Sequence, residues 1–309
     1  MIHANAVLHG SDTVKHGGAD HPKVNHLLRY HEFEHPLALQ LGGSCPDLLA
    51  RATEYAAGIG YDEVNLNVGC PSAKVQSGMF GACLMKNPQL VADCFKAMQG
   101  SVDIPVTIKT RIGVDDMDSY DHLCRFVDTV MSAGCFSFTM HARKAWLSGL
   151  SPKENRTIPK LQYEMVYRLK QDHPQLEIIL NGGIKSASDI ASHLQYVDGV
   201  MIGREAYSNP YSLAPYDSEF FAKTVAVPSR YDVLMHYLPY VRDMLAAGVR
   251  LPALLRPMSG LYFGQPNGKN WRRLLTEVVS CFDSALQNGF SADCCAELES
   301  RLLSFAITI

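Results

Sequence analysis

No two of the nine cysteines are spaced C-x-x-C, which excludes a zinc ribbon and a redox dithiol. An odd cysteine count in a chain of 309 residues points to a reducing compartment, the cytoplasm or an organelle such as a plastid or mitochondrion. Long apolar runs are missing too, so no segment reads as a bilayer span, and no signal-like apolar stretch follows Met1. A soluble protein with no membrane partner is expected. Neither sign of charge is in excess: 28 Lys and Arg against 31 Asp and Glu leave a net charge of -3, so a polyanion would have to be held by a local basic patch. No G-x-G-x-x-G follows the first apolar run, which removes the dinucleotide fingerprint of open doubly wound sheets.

What is present is an ordinary globular composition, 47% hydrophobic and 19% charged, enough for one large barrel or two medium domains. The first 35 residues hold seven of the twelve histidines, His3, His9, His16, His21, His26, His31 and His35. Their spacing matches no known ligand pattern, so a solvated irregular segment is expected and no metal.

From Pro36 onward short apolar runs alternate with helix-like stretches. The runs are PLALQLGG (36–43), EVNLNVGCP (63–71), PVTIKTRIG (105–113), FSFTMHAR (136–143), EIILNGGI (177–184) and GVMIGREAY (199–207), with helices expected over 46–58, 88–99, 119–133, 159–172 and 186–196. Alternating β and α units mean a parallel sheet. Gln40, Asn67, Lys109 with Arg111, His141 with Arg143, Asn181 and Arg204 each fall at the C-terminal end of a different run. A ring of polar residues at strand ends is the catalytic face of a (β/α)₈ barrel, whereas an open sheet gathers its chemistry at one crevice. The fold expected is therefore α/β, a TIM-type barrel. Eight units of about 30 residues would place roughly 60 residues before the third strand. If PLALQLGG is that strand, the chain lacks the first strand, its helix and most of the second.

In the last two units, NGGI and IGR offer backbone N–H groups beside Gly182, Gly183 and Gly203, plus the cation Arg204, which together suit a phosphate. Either motif alone could equally be a tight turn. After residue 228 the strand rhythm stops, and the rest reads as helices broken at Gly248, Gly264 and Gly289, with Arg250, Arg256 and GKNWRR giving positive charge. Two domains are expected, a barrel over 1–228 and an all-α helical bundle over 229–309. Trp271 could stack on a partner or anchor a helix in its core, and the pattern leans to the core.

Cys83 lies in a loop of small residues, CPSAKVQSGMFGACLM (70–85), where Gly81 and Ala82 let another molecule approach the backbone. Cys94 and Cys124, inside helical stretches, read instead as small buried hydrophobes.

With these residues in order, HPLALQLGG, YDEVNLNVGCPS, GMFGACLM, TIKTRIGVDD, MHARKAWLSGLSPKENRTIPKL, NGGI and MIGR, the chain resembles the tRNA-dihydrouridine synthases over nearly its whole length, most of all the dihydrouridine synthase A subfamily. One departure is at the start, where the family has a strand with an APM-type segment and this chain begins after it. The resemblance implies a flavin barrel followed by a helical tRNA-binding domain, with FMN bound and NADPH as reductant, reducing D-loop uridines of tRNA, U20 and U20a, to dihydrouridine; a monomer is expected. Residue by residue it implies Cys83 as proton donor. It also implies Gln40, Asn67, Lys109, His141, Asn181, Gly182, Gly183, Gly203 and Arg204 against FMN. For contact with tRNA it implies Phe80, Lys153, Arg156, Lys269, Arg272 and Arg273, and Arg143 at its strand end is a further candidate.

The chemistry suits those residue types. The uracil double bond is conjugated to a carbonyl, so hydride adds at C6 and C5 takes a proton, and a thiol with an ordinary pKa near 8.5 is mostly protonated at neutral pH. Lys109 and His141 could stabilise charge on the flavin or phosphate, or could partner a carboxylate such as Asp62 or Glu63. Two other readings stay open from sequence: a flavin barrel acting on a free pyrimidine, as dihydroorotate dehydrogenases do, and a flavin-free tRNA-binding remnant.

Overall fold

The computed structural model of the chain describes residues 1–8, 27–221, 223–286 and 292–307. The chain divides into two compact units, Met1–Ile184 with Ser188–Met201, and Lys185–Ala187 with Ile202–Ile309. This division does not fall at 228/229, where the sequence pattern changes. The run GVMIGREAY is one reason: its strand stops at Met201, Gly203 caps a short helix over Arg204–Ser208, and further short helices follow.

The first unit carries a seven-stranded parallel sheet whose spatial order is its chain order, β1 (Ile2–His3), β2 (Ala38–Gly42), β3 (Glu63–Asn67), β4 (Val106–Arg111), β5 (Ser137–His141), β6 (Glu177–Asn181) and β7 (Gly199–Met201). Sequential parallel neighbours joined by helices are the architecture of a TIM-type α/β barrel. The sequence pattern called for six strands. The seventh is Ile2–His3, which pairs with Leu41 and Gly42, while residues 4–8 form a helical turn with Ala4, Val7 and Leu8 buried. Two residues are too short to show alternation, so the strand was hidden within the histidine-rich start. Of those histidines, His9, His16, His21 and His26 lie outside the described residues. His31 caps a 3₁₀ turn, His35 meets Asp62 at 2.6 Å, and His3 packs edge-on against Phe80.

Helices α1 (Pro46–Gly58), α2 (Ala73–Ser77), α3 (Pro88–Gln99), α4 (Tyr120–Met131), α5 (Tyr163–Asp172) and α6 (Ala187–His193) fall between the strands. Local chemistry sets their starts. Asn87 accepts the Leu90 N–H and Pro88 takes the first helical position, while Ser119 accepts the His122 N–H at the head of α4. Each then buries one stripe, Val91, Cys94, Phe95 and Met98 in α3 and Leu123, Phe126, Val127 and Val130 in α4. These stripes pack on the outer face of the sheet, made of Leu39, Leu41, Val64, Leu66, Ile108, Phe138, Met140, Ile178 and Leu180, all buried. Burial of each such side chain contributes roughly 1.5–3 kcal/mol. Because strand side chains alternate faces, the other face carries Gln40, Asn65, Asn67, Thr107, Lys109, Thr139, His141 and Asn181, so the sheet's inner surface is polar.

The second unit is helical, built from α7 (Arg204–Ser208), α8 (Tyr216–Phe220), α9 (Arg230–Ala246), α10 (Leu251–Leu255), α11 (Gly268–Leu286) and α12 (Ala292–Ile307). Ser229 and Asp232 form a reciprocal capping box at the head of α9. Trp271 is fully buried, donates its indole N–H to the Met258 carbonyl at 2.7 Å and packs against Tyr262 and Phe305. That places it in the core, as its sequence context leaned.

Candidate active site

Register brings the polar strand ends together. Gln40 lies beside Asn65, Asn67 beside Lys109, Arg111 beside His141, and His141 beside Asn181. Their side chains form a ladder across the inner face. Asn67 donates to Gln40 at 2.8 Å, Gln40 donates to Asn65 at 2.8 Å, and Asn65 donates to the Thr107 hydroxyl at 2.8 Å, which in turn donates to Glu63. The Asn67 side-chain oxygen Oδ1 also accepts the N–H groups of Gly69 and Cys70, turning the chain out of β3 toward the Cys83 loop. Asn65 and Thr107 were not singled out in the sequence, although EVNLN shows the period-two spacing of Asn65 and Asn67 plainly.

On the adjoining strands sits a cluster of cations. Lys109 donates to Asn181 Oδ1 at 2.9 Å, and Asn181 donates onward to the Met201 carbonyl. Burial first, and then the Arg111 charge, pull the Lys109 ammonium down to about 8. His141 is held at about 3 by burial and by Arg111, Lys109 and Arg143, so it is neutral at physiological pH. Its Nδ1 is buried with no hydrogen-bond partner. The carboxylates that the sequence offered as partners are engaged elsewhere: Asp62 accepts from His35 and the Leu37 N–H, and Glu63 from Thr107.

Arg111 does something different from its neighbours in the ring. Its guanidinium, 4% exposed, donates to the carbonyls of Gly69 (2.8 Å), Lys144 (3.0 Å) and Asn155 (3.0 Å), clamping the loops after β3 and β5. Next to His141, the turn at Gly182 and Gly183 has φ of +115° and +80°, and a Cβ on Gly183 would lie 2.7 Å from both Leu161 and the Tyr163 hydroxyl. Only glycine fits there. Gly203 and Arg204 belong to the second unit.

Cys83 sits in a 3₁₀ turn, Gly81–Lys86, that follows β3 and α2. Gly81 has φ of +75°, and a Cβ there would come within 2.6 Å of the Cys70 carbonyl, whose oxygen accepts the Ala82 N–H. The Cys83 thiol donates to the Phe80 carbonyl at 3.1 Å. Burial raises its pKa, against a lowering pull from the Cys83 and Leu84 N–H groups and from Lys86. The thiol is therefore protonated at neutral pH while remaining partly exposed. Cys94 and Cys135 are pushed up to about 12 by burial and are core residues, whereas Cys124, also raised by burial, is only partly buried.

Phe80, expected against tRNA, is 7% exposed and wedges its ring between Gly42 and Gly78, which anchors the Cys83 turn to the end of β2. Arg143 is half-buried and donates to the Pro159 carbonyl. Lys153 and Arg156 are exposed on either side of Asn155, which is fully buried, accepts the Trp146 N–H and donates to the carbonyls of Trp146 and Leu150. That buried amide fixes the turn while its flanking cations face solvent. In the second unit Lys269, Arg272 and Arg273 are exposed near the head of α11, with Arg273 3.5 Å from Glu277.

Among the described residues no group of three or more His, Cys, Asp or Glu side chains is placed to hold a metal, and no helix is long and apolar enough to cross a membrane. The donor set does fit a phosphorylated flavin. The charges acting on Lys109 and His141 are all cationic, a buried imidazole nitrogen lacks a partner, and amides line the neighbouring strand ends. Such a site favours an anionic, hydrogen-bonding ligand.

The family model for dihydrouridine synthase matches residues 1–292. The chain is 55% identical over 277 residues to the tRNA-dihydrouridine(20/20a) synthase of Shewanella oneidensis, covering 90% of this chain and 82% of that protein. It is 53% identical over 295 residues to the protein of that name from Synechocystis sp., covering 94% and 85%, and 53% identical over 278 residues to the one from Escherichia coli K12, covering 90% and 80%.

Proposed function

Since the chain belongs to the dihydrouridine synthase family, we propose that it reduces the C5=C6 bond of uridines 20 and 20a in tRNA, with FMN as its flavin and NADPH as electron donor. The family is one of flavin-dependent oxidoreductases. The observation that carries the proposal is the protonated, partly exposed Cys83 thiol on a glycine-built turn that follows β3 and is anchored by Phe80 to the end of β2.

Gln40, Asn67, Lys109 and Asn181 would hold the polar edge of the flavin, with His141 as a neutral hydrogen-bonding neighbour and the Gly182–Gly183 turn allowing close approach of the phosphate. When bound and reduced, the flavin supplies the hydride that adds at C6 of the uracil. The Lys109 ammonium would stabilise negative charge on the reduced flavin whose polar edge it faces. Cys83 gives its S–H proton to C5, and the thiolate left behind recovers a proton from water, which reaches it because the residue is partly exposed. Lys153, Arg156, Arg143, Lys269, Arg272 and Arg273 are assigned to the phosphate backbone, whose contacts offset the few kcal/mol needed to unstack the target base.

The test is Cys83→Ala. Flavin content and tRNA affinity should be unchanged while turnover falls roughly two to four orders of magnitude. Normal dihydrouridine formation by that variant would take the thiol out of the reaction.

A further inference from the structure

Asp115 stands where three loops of the first unit meet. Its backbone is left-handed, φ 49°, a conformation uncommon outside glycine. Its side chain is used on both oxygens: Oδ2 lies 2.7 Å from the Lys86 ammonium and Oδ1 accepts the Leu147 N–H at 2.8 Å. Its backbone N–H donates to the Ala145 carbonyl at 2.8 Å, and its carbonyl accepts from Lys144. The Leu147 carbonyl accepts in turn from Gln76 of α2 at 2.6 Å. Lys86 is the last residue of the turn that carries Cys83. One carboxylate thus ties the thiol's turn to the loop after β4 and to the loop after β5, which presents Lys153 and Arg156. Burial opposes its ionisation, but the Leu147 N–H and Lys86 outweigh that and hold it below the usual carboxylate range.

We infer that Asp115 is a positioning residue, which through Lys86 holds the Cys83 turn in register with the loop following β5, so that thiol and loop act as one rigid piece. This rests on Cys83 as proton donor. Asp115 touches no reacting atom. A general acid must sit within hydrogen-bond reach of the atom it protonates, so a loosened turn lowers kcat more than it weakens substrate binding.

The experiment compares the flavin-loaded wild type with Asp115→Asn, which keeps an acceptor for Leu147 but loses the charge facing Lys86, with Lys86→Met, Lys86→Arg and the double variant Lys86→Met/Asp115→Asn. Backbone hydrogen exchange is read at residues 81–86 and 145–150, and kcat and KM are measured on tRNA. Asp115→Asn and Lys86→Met should each speed exchange at 81–86 severalfold and lower kcat about tenfold, with KM within about twofold. The double variant should be no worse than either single one, because both remove the same tie, and Lys86→Arg should recover most of kcat. Unchanged exchange at 81–86, or additive losses in the double variant, would overturn the inference. Lys86 is half exposed, so Lys86→Met reads the tie even where Asp115→Asn fails to fold. If the wild type makes no dihydrouridine, the functional reading fails while the exchange data still decide whether the tie exists.

Discussion

Lys109 offers a quantitative test of the flavin seat, because its ammonium is held in a poor environment until an anion arrives. Its fall from 10.5 to about 8 corresponds to roughly 3 kcal/mol of lost stabilisation of the charged form, from burial and from Arg111. An anionic ligand that restores the ordinary pKa recovers that energy as binding, and the ring of reduced FMN is such an anion, so Lys109→Met should weaken binding of reduced FMN on the order of a hundredfold at neutral pH. The sign of the pH dependence follows. Below about pH 8 the free protein already carries the ammonium. Above it, binding must first take up a proton, so the dissociation constant rises nearly tenfold per unit and is about thirtyfold weaker at about pH 9.5 than at about pH 7. Anaerobic titration of flavin-free protein with reduced FMN measures this directly. Lys109→Met should show a weak and nearly flat profile over the same range. A flat wild-type profile, or a steep one that survives in Lys109→Met, would refute the argument that this lysine faces the flavin.

Three further outcomes are expected. Gly81→Ala forces a Cβ to within 2.4 Å of Val75 at φ +75°, and should lower urea-unfolding stability by about 1–3 kcal/mol and slow turnover more than it alters tRNA affinity. Trp271→Ala removes a fully buried ring and its hydrogen bond to Met258, and should cost about 3–5 kcal/mol in the same unfolding assay. Arg272→Ala combined with Arg273→Ala should weaken tRNA binding and reduce the slope of log K against log salt by up to about 2, whereas an unaltered slope would mean these exposed cations do not meet phosphate.

The parts of the fold that show in the sequence are those with a strong period. EVNLN, TIKTR and FTMH alternate apolar and polar residues because one face packs on helices and the other lines a polar interior, and that alternation also gave Asn67, Lys109 and His141 their place at strand ends. Ile2–His3 was invisible because two residues carry no period. GVMIGREAY reads as one run, and only the structure decides for the tight turn that IGR left open: its strand ends at Met201 and Gly203 starts a helix. Among site residues, the glycine-rich setting singled out Cys83. Asp115 and Asn155 were missed because their importance lies in contacts to loops far along the chain, and Phe80 looked available for contact because nothing local reveals that Gly42 and Gly78 make room for its ring. The charge state of His141 was also beyond reach, since it depends first on burial and then on Arg111 and Lys109, which the fold brings close, as well as on Arg143.

The central claim is tested most directly by incubating the purified protein with FMN, NADPH and an unmodified tRNA transcript and mapping dihydrouridine along the product. The account predicts reduction confined to positions 20 and 20a, dependent on both FMN and NADPH. A protein that binds the tRNA yet leaves every uridine intact, or that reduces free uridine as readily as tRNA, would contradict it.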